Sequence, residues 1–169
     1  MRRSGVLLPV TSLPSRFGIG TFSKEAYAFV DFLKEAGQKL WQILPLGPTG
    51  YGDSPYQAFS TFAGNPYLID LEELIENGWL TEEECENTDW GGSKSYVDYE
   101  KMYQGRFPLL RKAYHNSHIA ENAEFIAFCE ENDWWLSDYA LFMAIKDSQG
   151  GASFLEWDAP LKLREPEAF

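Results

Sequence analysis

Tyr51, Asp53, Ser54, Tyr56 and Gln57 crowd into one short span of this sequence. Carboxylate, hydroxyl and amide groups fix a ligand's orientation, and the rings supply apolar contact. They belong to the stretch LWQILPLGPTGYGDSPYQAFSTFAGN, Leu40 to Asn65. Its opening run, Leu40–Leu44, reads as a buried strand, and Pro45, Gly47, Pro48, Gly50 and Gly52 then break any regular structure. Structureless loops of about 20 residues inside a compact domain are functional or disordered. Tyr51, Tyr56, Phe59 and Phe62 make this one too aromatic for a disordered linker, so it reads as the rim of a binding site. Asp53 is the one group here suited to acid–base chemistry, but its plainer role is to brace the loop through Asx-type backbone bonds. Ser54, before Pro55, either contacts a ligand or shapes the turn. The glycines are no phosphate cradle, because no Gly-Lys-Ser/Thr follows them.

The elements that must position this loop lie just before it. Gly5–Val10 reads as a first strand, apolar on both faces as in a buried parallel sheet. A loop, 11–22, leads to Ser23 as N-cap and to a helix over Lys24–Ala36 with Ala26, Phe29, Val30 and Leu33 on one face, stopped by Gly37. With Leu40–Leu44 as the second strand this is a βαβ unit, hence two parallel strands and a right-handed crossover. Both following loops then leave from the carboxyl edge of the sheet, where α/β folds bind ligands.

From Asp70 the sequence turns helical. Asp70 caps a short helix closed by Gly78, and Thr81 with Glu84 has capping-box spacing. A loop is expected over 87–95. Val97–Tyr114 follows as a helix with Met102, Phe107, Leu110 and Tyr114 toward the core and a break at Pro108. Two further helices are expected over Glu121–Glu131 and Trp134–Lys146, with Trp134 and Trp135 packed in a core rather than serving as a ligand platform. The acidic runs 82–86 and 130–133 read as solvated faces, and no strand is evident over 150–169. Two parallel strands make a poor sheet, and a (β/α)8 barrel takes about 250 residues. The chain therefore reads as the front of a longer protein.

Composition narrows the partners. The 169 residues carry 14 basic and 26 acidic side chains, a net charge of −12, without a basic stripe, which argues against nucleic acid and anionic membrane surfaces. Aromatic residues make up 16%, which strengthens the case for a flat ligand, although most of the rings are individually expected to fill cores between helices. Cys85 and Cys129 are isolated thiols, and with His115 and His118 the only histidines neither a disulfide framework nor a zinc site is expected. The apolar run after Arg2 and Arg3 is too short for a secretory signal, which leaves the cytoplasm as the expected compartment.

The blocks GVLLPVTSLPSRFGIG, LWQILPLGPTGYGDSPYQAFSTFAGNPYLIDL and WLSDYALFMAIK, with the closing WDAPLKLREPEA, resemble the amylomaltases, the 4-α-glucanotransferases of the α-amylase clan. The resemblance runs from Gly5 to the end. It implies an α/β fold: residues 1–69 are the start of a (β/α)8 TIM barrel with its first two strands, and 70–169 are a mostly α-helical inserted subdomain. It implies retaining transfer of α-1,4-glucan segments between maltooligosaccharides, without metal or organic cofactor. Retention needs two carboxyl groups about 5–5.5 Å apart. In the family these lie on later strands, so the resemblance places no catalytic residue here and leaves the chain inactive alone. It does imply sugar contacts for Ser54 and Tyr56 near the donor subsites, with Tyr56 at the sugar being cleaved. Tyr51 resembles a tyrosine of a second glucan-binding site away from the reaction centre, and Tyr99, in SYVDYEKMY, resembles an aromatic platform in the helical subdomain.

A rival reading makes the chain a glucan-binding module without turnover, and another a truncated product with neither function. An incomplete barrel also has to cover its apolar strand faces, by self-association or by strands from a partner.

Overall fold

The computed structural model describes residues 2–93 and 95–168. Lys94, inside the loop expected over 87–95, and Phe169, the last residue of the 150–169 segment, lie outside the described residues, as does Met1. The chain forms two compact units, Met1–Ile119 and Ala120–Phe169.

In the first unit, β1 (Gly5–Leu7) and β2 (Leu40–Gln42) pair in parallel with Gly5 opposite Leu40, Val6 opposite Trp41 and Leu7 opposite Gln42. Helix α1 (Lys24–Glu35) joins them. The α/β unit is thus present, with shorter strands than expected. Pro9 has no N–H for the ladder, and Val10–Ser12 turns into a 3-10 helix. Trp41 extends the pairing from its side chain, its indole N–H donating to the Leu8 carbonyl at 2.8 Å.

Helix α1 starts and stops where its cap chemistry dictates. The Ser23 hydroxyl accepts from the Glu25 N–H, and Gly37 at φ 71° supplies the left-handed residue past the helix end. Ala26 and Leu33 are buried and Phe29 meets Trp41 edge-on at 5.0 Å, whereas Val30 is exposed. The expectation of strands buried on both faces is wrong for the chain as it stands. Leu7 is 58% and Leu40 50% exposed, since α1 covers one side of a sheet that has two strands among the described residues.

The loop after β1 folds back on itself, with the Gly20 N–H donating to the Thr11 carbonyl at 3.1 Å. Position 20 tolerates no side chain: a Cβ there would stand 2.2 Å from the Val10 carbonyl oxygen. This closure delivers Phe17 and Ile19 into two apolar clusters. Phe17 packs with Leu71, Leu80, Cys85, Leu109 and Ala113, and Ile19 with Tyr67 and Met102.

Helices α2 (Leu71–Glu76) and α3 (Glu82–Glu86) begin at the expected caps, Asp70 and the Thr81–Glu84 capping box. Helix α4 runs unbroken over Tyr99–Ser117, so Pro108 does not interrupt it. Its buried face is Met102, Arg106, Leu109 and Ala113, while Pro108 is exposed, so the hydrogen bond it forfeits lies on the solvent side. The expected contacts Phe107 and Leu110 are only partly buried, and Tyr114 is exposed. The face is turned by one residue because Arg106, a cation, occupies the core position.

In the second unit the two expected helices are one, α5 (Ala123–Ser148). Asn132 and Asp133 do not end it: the Asn132 amide donates to the Phe128 carbonyl one turn back at 2.8 Å, and Asp133 accepts from Ser137 one turn on. Trp134 is 68% exposed, against the expectation of core packing, and Trp135 is half-buried. Helix α6 (Ala159–Lys162) and flanking 3-10 turns complete the unit, with Trp157 buried against Phe142 and Phe154 at 5.2 and 5.3 Å. None of the described helices is long and apolar enough to cross a membrane.

Candidate functional site

A cavity of about 90 Å³ opens at the carboxyl edge of the two strands. Pro9, Val10 and Thr11 enter it from the end of β1, Leu44 to Leu46 from the end of β2, and Asn65, Tyr67 and Tyr99 close it. Thr49, Asp53 and Pro55 line it from the aromatic loop. Complete ligand pockets run to roughly 300–1,000 Å³, so this is part of a site rather than a whole one.

The aromatic loop is held at its base and at its turn. The Asn65 N–H donates to the Leu46 carbonyl at 2.8 Å, and the Asp53 N–H to the Gly50 carbonyl at 3.1 Å. Asp53 stands at φ 53°, in the left-handed region where Asp is one of the few side chains at ease. Its carboxylate accepts from Thr49, so it braces the loop through that side chain. Burial raises the Asp53 pKa, and the Thr49 bond opposes the rise.

Opposite stands a set of rings. Tyr67 follows Asn65, whose side chain accepts the Tyr67 N–H at 2.9 Å, and Pro66 fixes the first turn of the 3-10 helix. The Tyr67 ring lies 6.1 Å from Tyr99 and 5.7 Å from Phe107, and Phe107 lies 5.2 Å from Tyr103. Burial first, and then the Asp53 carboxylate, push the Tyr67 phenol up to about 12 and also raise Tyr99. Both phenols are therefore neutral hydrogen-bond donors at pH 7.

Arg106 fixes helix α4 to the loop after β1 and to the end of the Pro66–Leu68 3-10 helix. It is fully buried and donates to the Phe17 carbonyl at 3.5 Å and to the Ile69 carbonyl, while its Nε has no partner. Burial lowers its pKa to about 10, which leaves it a cation at neutral pH.

Of the residues singled out in the sequence, Tyr99 lines the cavity, half-buried. Ser54 sits between the cavity residues Asp53 and Pro55, its carbonyl accepting the Gln57 N–H at 3.1 Å. Tyr51 and Tyr56 are exposed on the loop and do not line the cavity. Tyr67 and Arg106 were not foreseen. The Asn-Pro-Tyr cap was a legible signal for Tyr67, whereas nothing in the sequence marks Arg106 as buried.

A parallel α/β unit with its cavity at the strand ends defines a class of ligand-handling proteins, and comparison narrows it. A family model described as 4-alpha-glucanotransferase matches residues 8–169. The chain belongs to the 4-alpha-glucanotransferase family. It is 49% identical to the 4-alpha-glucanotransferase of Thermus thermophilus over 99% of its own length and 33% of that protein. The Clostridium butyricum enzyme is 48% identical over 94% of the chain and 32% of the relative. The amylomaltase from Streptococcus agalactiae in complex with acarbose superposes with a TM-score of 0.91 at 47% identity, covering 99% of this chain and 34% of that one. The chain thus spans about a third of the length of the relatives it matches.

Proposed function

We propose that this chain is the opening part of a 4-α-glucanotransferase, with β1 and β2 the first two strands of a (β/α)8 barrel and residues 70–169 a helical inserted subdomain. The whole protein transfers α-1,4-glucan segments between maltooligosaccharides by a retaining mechanism, in the cytoplasm. Family membership along the chain supports this, as does an amylomaltase neighbour in complex with acarbose. The observation that carries the reading is the cavity where both strands end, with a carboxylate on one side and rings on the other. In this reading Ser54 and Tyr56 meet the donor glucan, Tyr51 belongs to a second glucan-binding site away from the reaction centre, and Tyr99 is an aromatic platform on the helical subdomain. Sugar faces carry C–H groups that lie against rings, and hydroxyls bond to the polar side chains between them.

Taken alone, the chain binds α-1,4-glucan without turnover. Asp53 is the one carboxylate lining the cavity among the described residues, and retention requires two. The test is to incubate the purified chain with maltotriose, follow glucose and longer oligosaccharides, and titrate binding in parallel. Affinity without products is expected. Glucose with lengthened products would mean that the site is complete here, and lack of affinity would remove the glucan reading. Exposed Leu7 and Leu40 on a two-stranded sheet further support self-association, seen as a concentration-dependent mass in sedimentation velocity; a monomer at all concentrations would oppose it.

A further inference from the structure

Four rings run outward from the cavity in one connected series: Tyr99, Tyr67, Phe107 and Tyr103. Tyr99 and Tyr103 are one turn apart on helix α4, so they stand on the same face as neighbours. Tyr103 is 59% exposed, yet its ring is not loose, because Phe107 meets it edge-on at 5.2 Å and 62° and is itself backed by buried Tyr67. One residue further round the helix, the Gln104 amide donates to the Glu100 carboxylate at 3.2 Å, both exposed. An aromatic pair and a polar pair thus lie side by side along the first two turns of α4. Rings for the C–H faces of a sugar and amide and carboxylate groups for its hydroxyls are what an extended oligosaccharide requires.

We propose that Tyr103 is a further glucan-stacking residue, which continues the sugar track from Tyr99 along α4 so that the chain grips longer α-1,4-glucans better than short ones. This rests on the glucan-binding reading above. Continuity decides in favour of a sugar over an apolar protein surface: the series begins inside the candidate site, and the Gln104–Glu100 pair lies beside its exposed end. A short oligosaccharide engages the Tyr99 end, and a longer one reaches Tyr103 as well.

Titration calorimetry with maltotriose and maltoheptaose tests this on the purified chain and its Tyr103→Ala, Tyr103→Phe and Tyr99→Ala variants, each first checked for an unchanged unfolding midpoint against the parent. Tyr103→Ala is expected to weaken maltoheptaose about two- to tenfold and to leave maltotriose within about twofold, the range that one lost ring contact gives. Tyr103→Phe, which keeps the ring, should bind both sugars as the parent does. Tyr99→Ala should weaken both sugars. Equal losses for both sugars in Tyr103→Ala, or no loss for maltoheptaose, would overturn the inference while the glucan reading stands. A parent chain that binds neither sugar overturns both.

Discussion

The rings of helix α4 and those of the 45–65 loop are the same kinds of residue set to opposite mechanical conditions. Tyr99 and Tyr103 rest on Tyr67 and Phe107, which rest in turn on a core that includes Met102 and Ile19. Tyr51 and Tyr56 stand exposed on a segment secured by turns and by the bond between Thr49 and Asp53. Ordering a free side chain at an interface costs about 0.5–1.5 kcal/mol. The α4 rings meet that cost during folding, whereas the loop rings meet it when ligand arrives. The first region can therefore supply affinity from the outset, and the second supplies fit only on contact.

The contrast is most exposed to refutation in stability. Tyr67→Ala should cost about 3–5 kcal/mol, as other buried large-to-small changes do, while Tyr56→Ala should stay within about 0.5 kcal/mol. Urea unfolding of the two variants measures this, and similar losses in both would erase the distinction. A smaller effect is expected in binding. Tyr99→Ala should lower affinity for maltotriose about two- to tenfold, the range for one stacked ring, with Tyr51→Ala about twofold at most; the reverse order would show that the loop is already ordered in the free chain.

The smallest effect is a pH dependence confined to the loop. Burial holds the Asp53 pKa above its unfolded value, so folding favours the protonated carboxyl. That contribution is full below the unfolded pKa and is lost as pH rises through the folded one. Asp53→Asn, which keeps an acceptor for Thr49, should flatten this part of the stability profile on the alkaline side of the ordinary Asp range. Parallel profiles for parent and variant in thermal unfolding would show that the carboxyl is not desolvated.

Local chemistry was what the sequence disclosed best. Ser23, Gly37, Asp70 and the Thr81–Glu84 pair bound their helices as expected, because a cap is decided within a few residues. The parallel pairing of β1 and β2 was legible from the strand–helix–strand order. Tertiary choices were not. Arg106 lies on the buried face, where Phe107 was expected to contact the core, because two carbonyls from distant segments converge there, and that convergence leaves no trace in the spacing of α4. The continuity of α5 was hidden by Asn132 and Asp133, residues that suit caps as readily as an exposed helical turn. At the site, the loop announced itself by composition, and Tyr99 came from family resemblance. Its backing by Tyr67 depends on packing between segments far apart in the chain.

The closure between Thr11 and Gly20 bears on how this chain can be altered by selection. With the Val10 oxygen 2.2 Å from where any Cβ at position 20 would fall, that codon is closed to variation, and diversity spent on it returns unfolded clones. Tyr51, Tyr56 and Gln57 are exposed on the neighbouring loop and can be randomised together. A library for altered ligand preference is therefore best laid out asymmetrically: one edge loop kept as fixed scaffold, the other opened to change.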